Sequence, residues 1–454
     1  MMMSKVLRFG KRQLHTIVSR DMIKPSSPTP CHLKAYNLSV YDQLAPSAYM
    51  PIVAFYPSSN IFQSPHDTTL ELKNSLSQTL TQYYPFAGRL KENSPSYVDC
   101  NDNGVEFIEA SNENMLSDFL QHSKHQELDQ MFPNDLICFH SFLKLGDNKQ
   151  EDSITCPLSV QVNHFACGGV AVATSLHHKF GDARSIFNFI NHWARVNAAL
   201  FHSRDIKDAS LVNPHLIYYQ NRNTNLPEMM ASRSRVGCVT TSFSFPNEKL
   251  KELKAKVTAM TVESGQPIMN PTRVEVLTWL IHKCAIRANT KTNSGGFTPT
   301  GMAFPVDMRN ILVEKLPGTT IGNIILMINV PTRNESEFEP HMTIGELRKR
   351  KTQFQSIRNF EAATRPIDEM STETILEISN GLNNYYVYSS LCGFPTYGID
   401  FGWGKPVKVT MGGTMKNFIL LMDTPNDDGI EATVCLEEQD MKTFQNDPEL
   451  LAFC

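Results

Sequence analysis

The sequence predicts an α/β protein with two domains, on three observations. Segments with strand-like alternation and segments with helical spacing of apolar residues follow one another in both halves of the chain. The length of 454 residues exceeds what a single hydrophobic core usually supports. Residues 201–232 lose this periodicity and are rich in Asn, Pro and Asp, which is typical of a connection between domains. We therefore expect one domain at 21–200 and a second at 233–454.

The N-terminal 20 residues predict an extension without stable structure. All their charged side chains are basic, and the first acid of the chain is Asp21. Transit peptides share this composition, but the segment lacks their abundance of serine and the apolar core of a secretory signal. We expect residues 1–20 to be disordered, with an organelle-targeting peptide as the alternative.

The first half predicts elements that lead to a histidine. Helical spacing of apolar residues predicts a helix over 70–83, which Pro85 ends. Residues 158–162 and 170–174 predict two neighbouring strands. Apolar residues then recur at helical spacing up to Trp193, after cap-type side chains that begin at Asp182. His178 is therefore expected where a strand gives way to a helix.

The second half repeats this alternation. Residues 249–258 and 272–287 have the spacing of helices, whereas 304–306 and 321–330 have the composition of strands. The pattern predicts an α/β domain here as well.

Charge and composition favour small-molecule chemistry. The formal charge is −4 and no long run of Lys or Arg occurs, so neither nucleic acid nor an anionic membrane is an expected partner. The longest apolar stretch, 324–330, is too short to cross a bilayer. Ten cysteines without a C-x-x-C pair favour a reducing compartment, and we expect a cytoplasmic protein.

Common metal and nucleotide motifs are missing from the sequence. No H-E-x-x-H occurs, and His122 with His125 has no Cys pair nearby, so no metal is expected. Val407 stands where a G-x-G-x-x-G phosphate loop would need its last glycine, and no Walker pattern occurs.

His178 and Asp182 form an H-x-x-x-D pattern that suits general base catalysis. Histidine titrates near neutral pH, so it can take a proton from an alcohol and return it to a leaving group. A nearby carboxylate can fix the loop or the tautomer. The pattern alone also fits a histidine at a helix start with Asp182 as the N-cap.

A second segment is dense in turn residues around an aromatic side chain. It is Asp400-Phe401-Gly402-Trp403-Gly404-Lys405-Pro406. Gly402 and Gly404 permit backbone conformations that other residues resist, and Trp403 can anchor the turn by packing. We expect a structural role for this segment.

Together these two segments resemble the two signatures of the BAHD acyltransferase family, in the same order and with a similar separation. Further similarities extend over about residues 21–453, and they include Tyr83 to Arg89, Cys100 to Gly104, Thr272 to Leu277, Gly322-Asn323 and Leu421 to Asp423. Ile23 to Pro30 and Phe165 to Gly169 are most similar to the branch of vinorine synthase and deacetylvindoline acetyltransferase.

The resemblance implies a fold and a domain arrangement. It implies two chloramphenicol-acetyltransferase-like domains with mixed sheets and flanking helices, joined by a crossover loop at 201–232, with a solvent channel between them. It also implies that a segment at about 383–412 packs on the first domain, and that the protein is a monomer.

The resemblance further implies a reaction. His178 would act as general base in acyl transfer from coenzyme A to a hydroxyl of an alkaloid or terpenoid, and the resemblance to this branch implies acetyl-CoA as the donor. Asp182 would be structural and paired with Arg309. Acyl-CoA is then a co-substrate and no cofactor is bound permanently. The residues that would contact it are Thr272, Arg273, Val306, Asp307, Ser389, Ser390 and Leu391.

One departure from the family pattern concerns the acceptor. The resemblance aligns Gly393 with an arginine that binds the acceptor carboxylate in family members that use shikimate or quinate. Acidic acceptors are therefore doubtful, and a bulky apolar alcohol is expected.

Two other functions are weighed against acyl transfer to an alcohol. A serine hydrolase or acyl-CoA thioesterase is disfavoured because no G-x-S-x-G elbow occurs. A catalytically silent binding protein of the same fold is disfavoured because His178 is present.

Overall fold

The computed structural model describes residues 15–61, 63–91, 96–133, 154–202, 213–219, 237–292, 296–369, 371–382 and 385–454. The strands, in chain order, are β1 (His15–Ile23), β2 (Ala35–Asn37), β3 (Tyr49–Tyr56), β4 (Arg89–Lys91), β5 (Tyr97–Asp99), β6 (Val105–Asn112), β7 (Ile154–Thr155), β8 (Leu158–Phe165), β9 (Val170–His177), β10 (Cys238–Pro246), β11 (Thr300–Asp307), β12 (Ile325–Thr332), β13 (Tyr385–Ser390), β14 (Lys408–Met411), β15 (Phe418–Asp423) and β16 (Gly429–Glu437).

The α-helices alternate with these strands. They are α1 (Val40–Leu44), α2 (Pro65–Gln82), α3 (Leu116–His122), α4 (Ala183–Phe201), α5 (Asn247–Glu263), α6 (Arg273–Thr292), α7 (Pro340–Phe354), α8 (Phe360–Asp368), α9 (Thr372–Leu382), α10 (Glu438–Phe444) and α11 (Pro448–Leu451). No helix in these ranges is long and apolar enough to cross a membrane.

Two six-stranded sheets organise the chain, and both are mixed. The first has the order β1-β6-β8-β9-β3-β14, and the second has the order β10-β16-β15-β13-β11-β12. Strands β6 and β8 run parallel in the first sheet, as do β11, β13 and β15 in the second. A small four-stranded sheet, β2-β5-β4-β7, accompanies the first.

The first sheet is covered on both faces. Leu72 and Leu76 of α2 and Trp193 of α4 belong to a buried cluster with residues of β3, β8 and β9. A second cluster, with Phe55, Phe119 and Phe165, lies around α3. Every residue of β8 and β9 is consequently buried, which explains why both strands are rich in β-branched and small side chains.

The second sheet packs against α5 and α6. Leu253 of α5 and Trp279 of α6 are fully or almost fully buried beside Ile419 and Val434 of the sheet. This cluster is distinct from the one around α2 and α4, which also includes Val387, Phe418 and Leu420 of the second sheet and so connects the two sheets.

The N-terminal expectation is wrong for residues 15–20. They belong to β1, which pairs with β6 from His15↔Asn112 to Ile23↔Val105. The prediction relied on the basic side chains of this segment and overlooked its run of β-branched residues. Pairing with β6 satisfies the backbone groups of the segment. Residues 1–14 lie outside the described part of the chain.

Two other expected segments differ in detail. The strand expected at 321–330 begins at Ile325, because Gly322 has φ of 124° and the chain turns there. Within 383–412, residues 385–390 form β13 of the second sheet, whereas β14 pairs with β3 of the first. Of the connection at 201–232, residues 201–202 and 213–219 are described, and His215 forms a bridge with Thr320.

Candidate active site

A pocket lies between the two sheets. Met50 and Ile52 of β3 line one side, and Met327, Val387 and Phe418 of β12, β13 and β15 line the other. Most lining side chains are apolar, so the few polar groups that reach the pocket stand out. His178 is one of them.

His178 follows the last residue of β9 and begins a single 3₁₀ turn, His178–Phe180. Its N–H donates to the carbonyl of Ala48 at 2.7 Å. The buried Lys179 ammonium donates to the carbonyls of Gln43 and Ala45 at 2.7 and 2.8 Å. Gly181 then lets α4 start, since a Cβ there would lie 2.5 Å from Cβ of Ser185. Contacts at His178, Lys179 and Gly181 thus fix the loop that carries the imidazole.

The imidazole of His178 is oriented by Asn323. Nδ1 lies 2.9 Å from Asn323 Oδ1. The Asn323 amide nitrogen donates to Asp42 Oδ1 at 2.8 Å and to the His178 carbonyl at 2.7 Å, which assigns the amide orientation. Oδ1 can then only accept, so Nδ1 carries the proton. Nε2 has no hydrogen-bond partner among the described residues and keeps its lone pair.

Asp42 is in turn fixed by four donors. Its carboxylate accepts from the N–H and hydroxyl of Ser39 at 3.0 and 2.7 Å, and from the N–H of Asn323 at 2.7 Å in addition to the Asn323 amide. Ser39 caps α1, and Asp42 completes a capping box. The capping box of α1 therefore fixes the tautomer of His178, because Asp42 orients the amide of Asn323.

The environment favours neutral His178. Burial lowers its pKa, and the hydrogen bonds and the charges of Asp182 and Asp42 oppose this without reversing it. The side chain is still partly exposed, on the pocket side. At neutral pH the imidazole is therefore an acceptor for a proton.

Asp182 makes a buried, bidentate pair with Arg309. Arg309 Nη1 and Nη2 lie 2.9 and 3.0 Å from the two carboxylate oxygens of Asp182. The exposed fractions are 2% for Asp182 and 0% for Arg309. The carboxylate also accepts from the N–H groups of Ser185 and Ile324. Asp182 thus caps α4 and joins the two halves of the chain.

The pairing favours the ionised form of Asp182. Burial alone would raise its pKa, but the charge and hydrogen bonds of Arg309 and the donors of Ser185 lower it below the ordinary value. Both oxygens are occupied, so the arrangement supports a structural role for Asp182.

The segment Asp400 to Gly404 does not line the pocket. Asp400 accepts from the N–H groups of Gly402 and Gly404, both at 2.8 Å, and both glycines have positive φ. Trp403 is buried and packs edge-on against Tyr56 of β3, with ring centroids 5.3 Å apart. The segment is a packed turn that holds the second half of the chain on the first.

The residues expected to contact coenzyme A fall into two groups. Asp307, Ser389, Ser390 and Leu391 line the pocket. Val306 is buried in β11, and Thr272 caps α6 with Glu275, so neither lines it. Arg273 donates to Asn247 and to Asp423, and Asp423 accepts from the N–H of Gly393.

Three site residues were missed in the sequence. Asn323 and Asp42 orient His178, and Arg184 lines the pocket. Ser39 and Asp42 do have the spacing of a capping box, which predicts a helix start but not its distance from His178. No sequence pattern indicated a role in the site for Arg184, apart from its position two residues after Asp182.

The comparisons with known proteins agree with this architecture. The Transferase family model matches residues 15–451. Akuammiline synthase 1 of Alstonia scholaris is 37% identical over 96% of this chain and 97% of its own length. Deacetylvindoline O-acetyltransferase of Catharanthus roseus is 32% identical over 98% and 99%, respectively.

Solved structures show the same fold. Vinorine synthase has a TM-score of 0.77 at 28% identity and covers 97% of this chain and 98% of its own. The F. sporotrichioides TRI101 complex with coenzyme A and T-2 has a TM-score of 0.66 at 17% identity, over 92% and 98%. The two-domain, chloramphenicol-acetyltransferase-like fold is therefore confirmed. This chain belongs to the transferase family of BAHD acyltransferases, and it is an acyltransferase.

Proposed function

We propose that this enzyme transfers an acyl group, acetyl in the simplest case, from coenzyme A to a hydroxyl of an alkaloid or terpenoid alcohol. The observation that carries the proposal is Nε2 of His178, which has no hydrogen-bond partner among the described residues and lies in a mostly apolar pocket. The names of relatives such as deacetylvindoline O-acetyltransferase support acetyl transfer to oxygen, and coenzyme A occupies the TRI101 complex.

His178 Nε2 removes the proton from the acceptor hydroxyl as its oxygen attacks the thioester carbonyl. The tetrahedral intermediate collapses with cleavage of the C–S bond. The imidazolium then returns the proton to the leaving thiolate, which departs as the free thiol of coenzyme A. The ester is formed without a covalent acyl-enzyme.

Asn323 and Asp42 support the charge that develops on His178. As Nε2 takes the proton, the imidazolium keeps its Nδ1–H bond to Asn323, whose amide stays fixed on the Asp42 carboxylate. The negative charge of Asp42 favours the imidazolium through this neutral intermediary. Both residues position the base and neither touches the reacting atoms.

Contacts with acyl-CoA are proposed for the predicted residues that line the pocket, Asp307, Ser389, Ser390 and Leu391. Val306 supports them from within β11. We assign Thr272 and Arg273 a structural role instead. Thr272 bonds to Glu275, and Arg273 bonds to Asn247 and Asp423. Asp423 in turn holds the backbone N–H of Gly393.

The acceptor end of the pocket suits a bulky ring system. Met50, Met327, Met411 and Met415 are among the residues that line the pocket, and methionine side chains adapt their shape to irregular apolar surfaces. A polycyclic alcohol can bury its hydrocarbon surface there while its hydroxyl meets Nε2 of His178.

The test is incubation of the purified protein with acetyl-CoA and a panel of alkaloid and terpenoid alcohols, with release of free thiol and mass of the ester as readouts. Ester formation that requires His178 supports the proposal. Thiol release without an ester would show a thioesterase, and no thiol release across donors and alcohols would remove the proposed function.

A cytoplasmic location and a monomeric state belong to the same proposal. No disulfide joins the cysteines of the described residues, and this suits a reducing compartment. Cell fractionation and size-exclusion chromatography with light scattering test these two points.

A further inference from the structure

Arg184 is a cationic side chain in the pocket of His178. It is the second residue of α4 and lines the pocket. Its guanidinium carbon lies 3.8 Å from the ring centroid of Phe394, so the planar group is stacked and held in one orientation. Gly393 supplies no cation to this pocket, but Arg184 does. The cation comes from another element.

The donors of this guanidinium are largely unused. Nε of Arg184 lies 3.5 Å from Asp307 Oδ2, which is an ion pair without a hydrogen bond. No hydrogen bond joins the Arg184 guanidinium to any residue that the structure describes. Asp307 itself accepts from the N–H and Nη1 of Arg309, both at 3.0 Å. Its negative charge is therefore shared between Arg309 and Arg184. Arg184 keeps a fork of N–H groups for another partner.

The place of Arg184 at the start of a helix does not favour the stability of the fold. A cation in the first turn of a helix is disfavoured by the helix dipole, which favours acids there. The buried neighbour Asp182 is already neutralised by Arg309 and does not need it. A stacked, underused guanidinium at such a place indicates recognition of a ligand.

We propose that Arg184 binds a carboxylate of a substrate through its guanidinium fork. A bidentate carboxylate fits both the planar shape and the charge of this group. A phosphate is less suitable, because Arg184 is the one Lys or Arg among the described residues that line the pocket. The inference rests on the proposed acyl transfer and names a substrate class for that site.

The carboxylate can come from either substrate. A dicarboxylic acyl group, such as malonyl, carries it on the donor, and a hydroxy acid carries it on the acceptor. Two matched pairs separate these sources: malonyl-CoA against acetyl-CoA with one alcohol, and a polycyclic hydroxy acid against its methyl ester with one donor. For each pair kcat/KM and the equilibrium dissociation constant are measured.

Wild type is expected to prefer the carboxylate in one of the two pairs by about 10-fold or more, since a hydrogen bond to a charged group contributes on this scale. Arg184→Gln should remove the preference, and Arg184→Lys should keep part of it. Arg195→Gln is the matched control, because Arg195 lies on the same helix and is exposed.

Equal values within both pairs for wild type, or a preference that survives in Arg184→Gln, would overturn the inference. The dissociation constants decide this even without turnover. Absence of thiol release with every donor and acceptor would instead count against the proposed function, so the two failures are distinguishable.

Discussion

The segments around His178 and around Trp403 both join the two halves of the chain, but by different forces. The first uses buried charge, through the Asp182–Arg309 pair, and a hydrogen-bonded amide, through Asn323. The second uses aromatic packing, with Trp403 on Tyr56 and Phe401 on Trp193 at 5.3 and 4.9 Å. Only the first places a titratable group with a free lone pair in the pocket.

This difference shows how similar turn chemistry serves two purposes. Asp182 and Asp400 each accept backbone N–H groups at a chain reversal. Asp182 is buried and supports a loop that projects His178, whereas Asp400 is exposed and closes a packed turn. Substitutions in the two segments should therefore separate activity from stability.

The largest effect is expected for His178→Ala. Loss of a positioned base should lower kcat by about 100-fold or more, since such a group contributes roughly 10²–10⁴-fold. The unfolding temperature should stay unchanged, because the imidazole makes one side-chain bond. His66→Ala, at an exposed histidine, is the control. A rate near that of wild type in His178→Ala would remove this residue from the mechanism.

Asp182→Asn should affect both stability and activity. Arg309 would be left buried with only the partly exposed Asp307 as a counter-charge, at a cost of about 3 kcal/mol in the free energy of unfolding. Because the folded pKa of Asp182 is lowered, its stabilisation is present above the ordinary value near ~3.9 and is lost as pH falls through the lowered pKa. Denaturant titrations of both proteins at neutral pH and near pH 3 measure this.

The exposed Asp400→Asn variant is the comparison for Asp182→Asn, and it should lose about 1 kcal/mol or less. Equal stability of Asp182→Asn and wild type at neutral pH would show that the buried pair does not carry the loop.

Trp403→Ala tests the packed turn. Truncating this buried ring should lower the free energy of unfolding by about 3–5 kcal/mol. Well below the unfolding temperature, kcat should stay within about threefold of wild type, because Trp403 does not line the pocket. Trp403→Phe should recover most of the stability. A large fall in kcat at unchanged stability would place this segment in the catalytic machinery.

The smallest effect is expected for Asp42→Asn, and it concerns pH. Without the charge, Asn323 is held less firmly and kcat should fall by about 10-fold. The charge of Asp42 raises the pKa of His178, so its removal should move the acid limb of the kcat/KM profile to lower pH. Asp67→Asn, at an exposed cap of α2, should leave the profile in place. An unchanged acid limb in Asp42→Asn would contradict the positioning role.

Local patterns predicted much of the fold. The helices around residues 70–83 and after Asp182, and the strands at 158–162 and 170–174, are all present, because their apolar periodicity matches the faces they bury. β1 was missed because its pairing with β6, rather than its own burial, stabilises it, and most of its side chains are exposed.

The sequence by itself determined the family, the α/β class and the candidate base, because turn residues and H-x-x-x-D are local patterns that survive without coordinates. The tertiary structure decided what surrounds the base. Asp42 and Asn323 meet beside His178 although 281 positions separate them, and Arg184 lines the same pocket as His178. Contacts at such separations leave no periodic signal in one sequence, since packing of the two sheets, rather than local propensity, brings the side chains together.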